Sequence, residues 1–141
     1  MSRKRTLPSA SEKRRIVIVD NHPLLRRGLK ALINAEPDMI VSAEAANHRD
    51  GLIAVAATQP DLVIADLSLD EGDGLGLVRD LRSRHPGLRL LILSMHDSLE
   101  HVRRAFAAGA NGYVAKSEMT EMLLDAIRAV LRGEAYGAPE A

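Results

Sequence analysis

Short apolar runs alternate along this chain with segments whose apolar residues recur at helical spacing. The runs are rich in β-branched residues and too short for buried helices, which indicates buried strands. They lie at Arg15–Asp20, Met39–Ala43, Leu62–Ala65, Leu88–Leu93 and Gly112–Ala115. Strands that alternate with helices in this way predict a parallel sheet with helices on both faces.

A helix is expected after each predicted strand, because local start and stop signals accompany the helical spacing. Pro23 suits the first turn of the first helix, and Pro37 follows its end. Asn47 and Ser98 are expected to cap the second and fourth helices with their side chains. The third and fifth helices are expected at about Gly74–Arg84, with Asp73 as its cap, and at about Glu118–Leu131.

Four of the predicted strands end at polar residues. These residues are Asp20 and Asn21, Asp66, Ser94, and Lys116. Because parallel strands share one carboxyl edge, these side chains are expected to meet there. Two carboxylates and an amide suit a hard cation such as Mg²⁺, whereas a hydroxyl and an ammonium suit phosphate oxygens. An aspartate is also a competent nucleophile toward phosphorus, so the set predicts phosphoryl transfer to a carboxylate.

Composition narrows the class of protein. The chain has 141 residues, which suits one domain, and 46% of them are hydrophobic. It has no cysteine, which excludes disulfides and thiolate metal sites. No apolar run is long enough to cross a bilayer, and the polar N-terminus does not resemble a signal peptide. A cytoplasmic protein without a membrane partner is therefore expected.

The charge is unevenly distributed. Residues 1–15 contain six basic residues and one acidic residue, a net charge of +5, so the remaining residues carry −5 within a neutral chain. Residues 1–14 are predicted to form a disordered basic arm, more plausibly a solvated tail than a nucleic-acid contact. Only 2% of residues are aromatic, which argues against a base-stacking surface.

Four stretches of the chain resemble the receiver domain of two-component response regulators. They are VDNHP at 19–23, PDLVIADLSLDEGDGL at 60–75, LILSMHD at 91–97 and VRRAFAAGANGYVAKS at 102–117. Together with the closing GEAYGAPE, they are most similar to regulators that carry a LuxR-type helix-turn-helix output. The resemblance implies an α/β, flavodoxin-like (βα)5 fold, a doubly wound parallel sheet with strand order 2-1-3-4-5.

The same resemblance implies a domain organisation. Residues 15–133 are expected to form the receiver domain, and residues 134–141 the start of a linker to an output domain absent from this chain. Whether the chain is cut from a longer regulator or is a stand-alone receiver stays open.

The resemblance also implies a role for each residue at the strand ends. Asp66 would be the phosphoacceptor for a sensor histidine kinase. Asp20, Asp66 and the backbone carbonyl of Ser68 would hold Mg²⁺. Ser94 would be the switch hydroxyl, and Lys116 would pair with Asp66 before phosphorylation and with the phosphoryl group afterwards.

Three positions depart from the family pattern. Asn21 stands where a second metal-binding acid is usual. As a metal ligand it would offer only a neutral amide oxygen, so Mg²⁺ is expected to bind weakly. Capping of the first helix is its other candidate role, and both roles can hold at once. Asp70 replaces the usual proline. Either Asp70 or Glu71 is a candidate to replace the missing acid as a metal ligand, and the alternative is that both belong to a solvated acidic loop. His101 stands at the predicted switch position, usually aromatic, the alternative being a partly exposed helix histidine.

Other candidate residues have simpler expected roles. His22, His85 and His96 share no metal-ligand spacing and are expected on the surface or at loop edges. The apolar side of the last helix is expected to be mostly core, with a remaining strip available for dimerisation.

The main functional prediction is a phosphorelay switch. The chain would form a homodimer on activation and would act on DNA, in transcription regulation, only through an output domain outside it. The alternative is a degenerate receiver that acts as a phosphorylation-independent interaction or dimerisation module. An aspartate-nucleophile phosphatase is disfavoured because no DxD pattern follows the strands. The chain is therefore not expected to be an enzyme beyond self-catalysed phosphoryl transfer and hydrolysis.

Overall fold

The computed structural model of the protein describes residues 12–69, 74–96 and 98–139. Within these residues, strands and α-helices alternate as the hydrophobic pattern predicts. The strands are β1 (Arg14–Val19), β2 (Met39–Ala45), β3 (Leu62–Asp66), β4 (Arg89–Ser94) and β5 (Gly112–Ala115). The helices are α1 (Pro23–Asn34), α2 (His48–Thr58), α3 (Gly74–Arg84), α4 (Leu99–Ala108) and α5 (Met119–Leu131), the last preceded by a 3-10 turn at Lys116–Glu118.

The sheet is parallel throughout, with strand order β2-β1-β3-β4-β5, which confirms the predicted topology. Asp66, the last residue of β3, lies opposite Leu93 of β4. The next residue of β4, Ser94, lies opposite Ala115 of β5. The carboxyl ends of the central strands therefore finish level with one another, which brings their terminal side chains to one edge.

Two apolar layers cover the sheet because alternate strand residues point to opposite faces. One layer packs under α2, α3 and α4 and includes Val17, Val19, Val63, Leu77, Leu81 and Ile92. The other packs under α1 and α5 and includes Ile16, Ile18, Leu29, Ile33, Leu123 and Ile127. Residues of β3 are at most 1% exposed, which explains why its sequence is a continuous apolar run. None of the helices in the described part of the chain is long and apolar enough to span a membrane.

The caps predicted for the second and fourth helices are present. The side chain of Asn47 accepts a hydrogen bond of 2.8 Å from the backbone N–H of Asp50. The Ser98 hydroxyl accepts one of 3.4 Å from the backbone N–H of His101. α4 is followed by Gly109 at φ 122°, a conformation that favours glycine. These caps begin the helices that follow two of the loops at the carboxyl edge of the sheet.

The N-terminal arm lies largely outside the described residues. Of the predicted arm 1–14, residues 1–11 belong to the part that the structure leaves undescribed. Arg14 already belongs to β1, where it lies opposite Met39 of β2. The first strand therefore begins one residue earlier than the apolar pattern predicts, because strand pairing extends beyond the buried residues.

The segment that follows α5 is attached to the edge strand. The backbone N–H of Tyr113 donates to the carbonyl of Tyr136 at 2.9 Å, and the Tyr136 N–H donates to the carbonyl of Asn111 at 3.1 Å. Gly137 follows at φ 73°, where an added Cβ would lie 2.4 Å from the Tyr113 carbonyl oxygen. The first part of the expected linker thus pairs with the outer side of β5, as far as the described residues reach.

One arginine joins α3 to two neighbouring loops. The Arg82 guanidinium donates to the carbonyls of Gly109 at 2.7 Å, Pro86 at 2.8 Å and Leu88 at 2.7 Å. It also donates to the side-chain oxygen of Asn111 at 2.8 Å. These bonds satisfy carbonyl groups of the turn before β4 and of the loop before β5.

Substitution of Arg82 by methionine keeps an unbranched apolar stem but leaves these acceptors unpaired. We expect Arg82→Met to lower the free energy of unfolding by about 2–4 kcal/mol. Urea denaturation followed by circular dichroism measures the change. Arg84→Met, at an exposed position of the same helix, is the control and should change stability by less than about 0.5 kcal/mol. Equal losses in the two variants would contradict this role for Arg82.

A second arginine connects α5 to the loop between α1 and β2. The Arg128 guanidinium donates to both carboxylate oxygens of Asp38, at 2.9 and 3.1 Å, and to Glu36 at 2.6 Å. The hydrogen bond from Arg128 holds the pKa of Asp38 below its usual value. The same two acids raise the pKa of Arg128.

The lowered pKa of Asp38 has a consequence for acid stability. The ion pair stabilises the fold above the ordinary aspartate pKa, and this contribution is lost as the pH falls through the lowered pKa of the folded state. Asp38→Asn should therefore cost up to about 1 kcal/mol near neutrality, since the pair is partly exposed. The difference from wild type should shrink in acid. Thermal unfolding across pH measures this, and an undiminished difference in acid would contradict it.

Candidate metal and phosphoryl-transfer site

Four polar side chains lie at the carboxyl edge of the sheet, as the strand ends predict. Asp20 follows β1, Asp66 ends β3, Ser94 ends β4 and Lys116 follows β5. Asp20, Asp66 and Ser94 are each only 1% exposed, whereas the other buried side chains among the described residues are apolar. Burial of carboxylates costs desolvation free energy, so buried carboxylates at a strand edge indicate a functional site.

Lys116 lies between the two buried carboxylates. Its Nζ is 3.3 Å from Asp66 Oδ1 and 3.5 Å from Asp20 Oδ2. The side chain of Lys116 is itself only 9% exposed. One ammonium group therefore balances two carboxylates that have almost no contact with solvent.

Hydrogen bonds orient the two carboxylates but leave one oxygen of each without a hydrogen-bond partner. Asp66 Oδ1 accepts from the backbone N–H of Ser68 at 3.1 Å and from its hydroxyl at 2.9 Å. Asp20 Oδ1 accepts from the backbone N–H of His22 at 2.8 Å. Asp20 Oδ2 and Asp66 Oδ2 are buried and have no hydrogen-bond partner. Buried, unsatisfied carboxylate oxygens fit a bound cation.

His22 approaches the same two carboxylates. Its Nδ1 is 2.8 Å from Asp20 Oδ1 and 3.7 Å from Asp66 Oδ2. One donor atom from each of these three residues lies within 4.8 Å of the others, so the three could hold a metal ion. The side chain is 58% exposed, in keeping with its predicted surface position, but its ring contacts the site. The sequence signal that could have identified it is its spacing, two residues after Asp20.

Asn21 has neither an enclosed position nor a capping role. It is exposed, and the N-cap residue of α1 is His22, which makes no side-chain capping bond. The alternative prediction that Asn21 caps the first helix is therefore wrong. The reason is that Pro23 occupies the first helical position, which places the cap one residue later.

The site and the fold agree with what comparison with known proteins finds. A model of the response regulator receiver domain family matches residues 16–128. The chain belongs to this family.

Relatives of this receiver domain include transcriptional regulators. YxjL of Bacillus subtilis, an uncharacterized transcriptional regulatory protein, is 38% identical over 124 residues, which cover 88% of this chain and 57% of YxjL. The nitrate/nitrite response regulator NarL of Escherichia coli K12 is 35% identical over 126 residues, which cover 89% of this chain and 58% of NarL. The chain thus spans little more than half the length of these curated relatives.

A solved structure supports the same assignment. The crystal structure of a LuxR-family two-component response regulator from Aurantimonas sp. SI85-9A1 matches with a TM-score of 0.85 at 38% sequence identity. The match covers 90% of this chain and 91% of that one. The flavodoxin-like receiver fold predicted from the sequence is confirmed.

In this receiver domain, the loop after Ser94 is held by a buried aromatic residue. The Ser94 hydroxyl accepts a hydrogen bond of 3.0 Å from the backbone N–H of His96. The carbonyl of His96 accepts one of 2.6 Å from the hydroxyl of Tyr113, which is 6% exposed. Tyr113 was not among the predicted site residues, although an aromatic residue in a buried strand just before Lys116 is a usable signal.

The remaining predicted site residues lie farther out or outside the described residues. His101 is on α4, partly exposed, and its ring stacks on that of His96 with centroids 4.4 Å apart. Asp70, Glu71 and Asp73 fall among residues 70–73, which lie outside the described residues. Compensation at the metal by Asp70 or Glu71 therefore stays a prediction.

Neutralising one buried carboxylate should stabilise the metal-free receiver domain. Asp20→Asn removes one negative charge beside Asp66 but keeps an oxygen acceptor for His22. We expect it to raise the free energy of unfolding by about 1 kcal/mol in the presence of a chelator. Urea denaturation with and without divalent cations measures this, and the gain should shrink when cations are added.

The matched control for this effect is Asp125→Asn, at an exposed position of α5. It should leave stability within about 0.5 kcal/mol of wild type under both conditions. A destabilised Asp20→Asn variant in chelator would show that the two carboxylates do not oppose folding.

Proposed function

We propose that this receiver domain accepts a phosphoryl group from a sensor histidine kinase on Asp66, with Mg²⁺ as cofactor, in a phosphorelay that controls transcription. The proposal rests on the burial of the Asp66 carboxylate and on the partners of its two oxygens. Its carboxylate is buried at the end of the central strand, Oδ1 is held by Ser68 and Lys116, and Oδ2 has no hydrogen-bond partner. A buried carboxylate that Ser68 and Lys116 hold in one orientation is suited to attack phosphorus.

The proposed transfer needs little covalent chemistry from the protein. A carboxylate oxygen of Asp66 bonds to phosphorus as the phosphorus–nitrogen bond of the donor phosphohistidine breaks, and the electron pair returns to the imidazole. Lys116 neutralises charge on the transferred oxygens from its position beside Asp66. Bound Mg²⁺ would supply further positive charge at the same oxygens.

The described residues fit a divalent cation. Asp20 and Asp66 each direct a buried oxygen without a hydrogen-bond partner into the site. The backbone carbonyl of Ser68 and the amide of Asn21 are the other proposed ligands. Because an amide oxygen is neutral and Asn21 is exposed, we expect weak Mg²⁺ binding.

The proposed switch begins at Ser94. In the structure, the Ser94 hydroxyl accepts from the His96 backbone. A phosphoryl group on Asp66 offers that hydroxyl a charged acceptor, and its reorientation would disturb the turn that Tyr113 holds. His101, which stacks on His96, would carry the change to α4. Receiver homodimerisation and DNA binding by an output domain beyond this chain are the proposed consequences, in the cytoplasm.

The test is intact mass after incubation with acetyl phosphate, with and without Mg²⁺. Wild type should gain one phosphoryl group only when Mg²⁺ is present, because the buried carboxylates repel an anionic donor without it. Asp66→Ala should gain none. Asp125→Ala, at an exposed aspartate, should react like wild type.

Two results of the mass measurement would contradict the proposal. A gain in Asp66→Ala would assign the phosphoacceptor to another residue. No gain in wild type at any Mg²⁺ concentration would overturn the proposal and favour the degenerate receiver, a phosphorylation-independent interaction module.

A further inference from the structure

The donor atoms around the two buried carboxylates are not all oxygens. His22 Nδ1 lies 2.8 Å from Asp20 Oδ1 and 3.7 Å from Asp66 Oδ2. Two ligands of one metal ion, each bonded at about 2.0–2.2 Å, stand roughly 3 Å apart at right angles. The imidazole nitrogen therefore lies within reach of an ion that both carboxylates could bind.

The backbone fixes the ring at this place. The His22 N–H donates to Asp20 Oδ1, so the same carboxylate oxygen contacts both the backbone and the ring of His22. His22 is the N-cap of α1, and the following Pro23 restricts the chain at the first helical position. A ligand held by a helix terminus is better preorganised than one on a free loop.

A second observation points to an ion at this place rather than to a simple ion pair. Asp20 Oδ2 and Asp66 Oδ2 are buried without hydrogen-bond partners, although His22 and Lys116 are both close. Neither His22 nor Lys116 therefore satisfies these two oxygens by a hydrogen bond. A cation bound beside the ring would satisfy these oxygens.

We propose that His22, through Nδ1, is a direct ligand of the cation bound by Asp20 and Asp66, and that it shifts the preference of the site from Mg²⁺ toward first-row transition ions such as Mn²⁺. The inference rests on the cation site of the proposed function. Imidazole nitrogen is a good ligand for transition ions, whereas Mg²⁺ prefers oxygen ligands and retains water. With a metal bound at Nδ1, the ring carries its proton on Nε2.

A different role for His22 predicts the opposite change in metal affinity. If His22 served only as a positive counter-charge for the two carboxylates, its ring would compete with the metal. Removing the ring would then tighten metal binding, whereas removing a ligand loosens it. The sign of the change in affinity distinguishes the two roles.

The experiment uses the full chain with Mn²⁺ and Mg²⁺ as probes, titrated by calorimetry. His22→Gln should weaken Mn²⁺ binding by about tenfold and Mg²⁺ binding much less, because only Mn²⁺ gains from a nitrogen ligand. Pulsed electron paramagnetic resonance of bound Mn²⁺ should detect coupling to a nitrogen nucleus in wild type and none in His22→Gln. His85→Gln, in the turn between α3 and β4 at the other edge of the sheet, is the matched control and should behave like wild type.

Failure of this inference can be separated from failure of the proposed function. Two results would overturn the role of His22 alone. One is Mg²⁺-dependent phosphorylation of Asp66 in a wild type whose bound Mn²⁺ shows no nitrogen coupling. The other is tighter Mn²⁺ binding in His22→Gln. No binding of either ion, together with no phosphorylation of wild type, would overturn both proposals.

Discussion

The ion pairing of Lys116 with Asp20 and Asp66 is the interaction on which the rest of this site depends. Two carboxylates, each almost inaccessible to solvent, share one ammonium group at distances of 3.3 and 3.5 Å. Buried charges are tolerated only when they are paired and hydrogen-bonded. Here the pairing is incomplete, since one oxygen of each carboxylate has no hydrogen-bond partner. A further cation bound at this site would therefore satisfy two carboxylate oxygens that the fold leaves without partners.

The polar contacts of the site continue outward through the protein. The Ser94 hydroxyl is bonded to the backbone of His96, and the carbonyl of His96 is bonded to Tyr113. The backbone of Tyr113 in turn pairs with Tyr136, in the segment that follows α5. A continuous set of hydrogen bonds thus connects the end of β4 beside Asp66 with the segment that follows α5.

Much of the fold could be predicted from the sequence because its signals are local. A short apolar run such as residues 62–65 favours a buried strand over a helix because of its length. Asn47 and Ser98 mark helix starts through bonds to nearby backbone groups. The meeting of Asp20, Asp66, Ser94 and Lys116 at one edge was also predictable. In a parallel sheet, every strand ends on the same side, so strand ends determine which side chains become neighbours.

Pattern and resemblance thus determined the fold class, the strand order and the candidate cluster of polar residues at the sheet edge. Tertiary structure alone decided which side chains contact that cluster and which do not. His22 is largely exposed, yet its ring contacts both carboxylates, which its place in the sequence did not indicate. Arg82 and Tyr136 likewise bond to groups far along the chain. Contacts of this kind depend on the relative placement of elements that are distant in sequence, and residue periodicity carries no information about that placement.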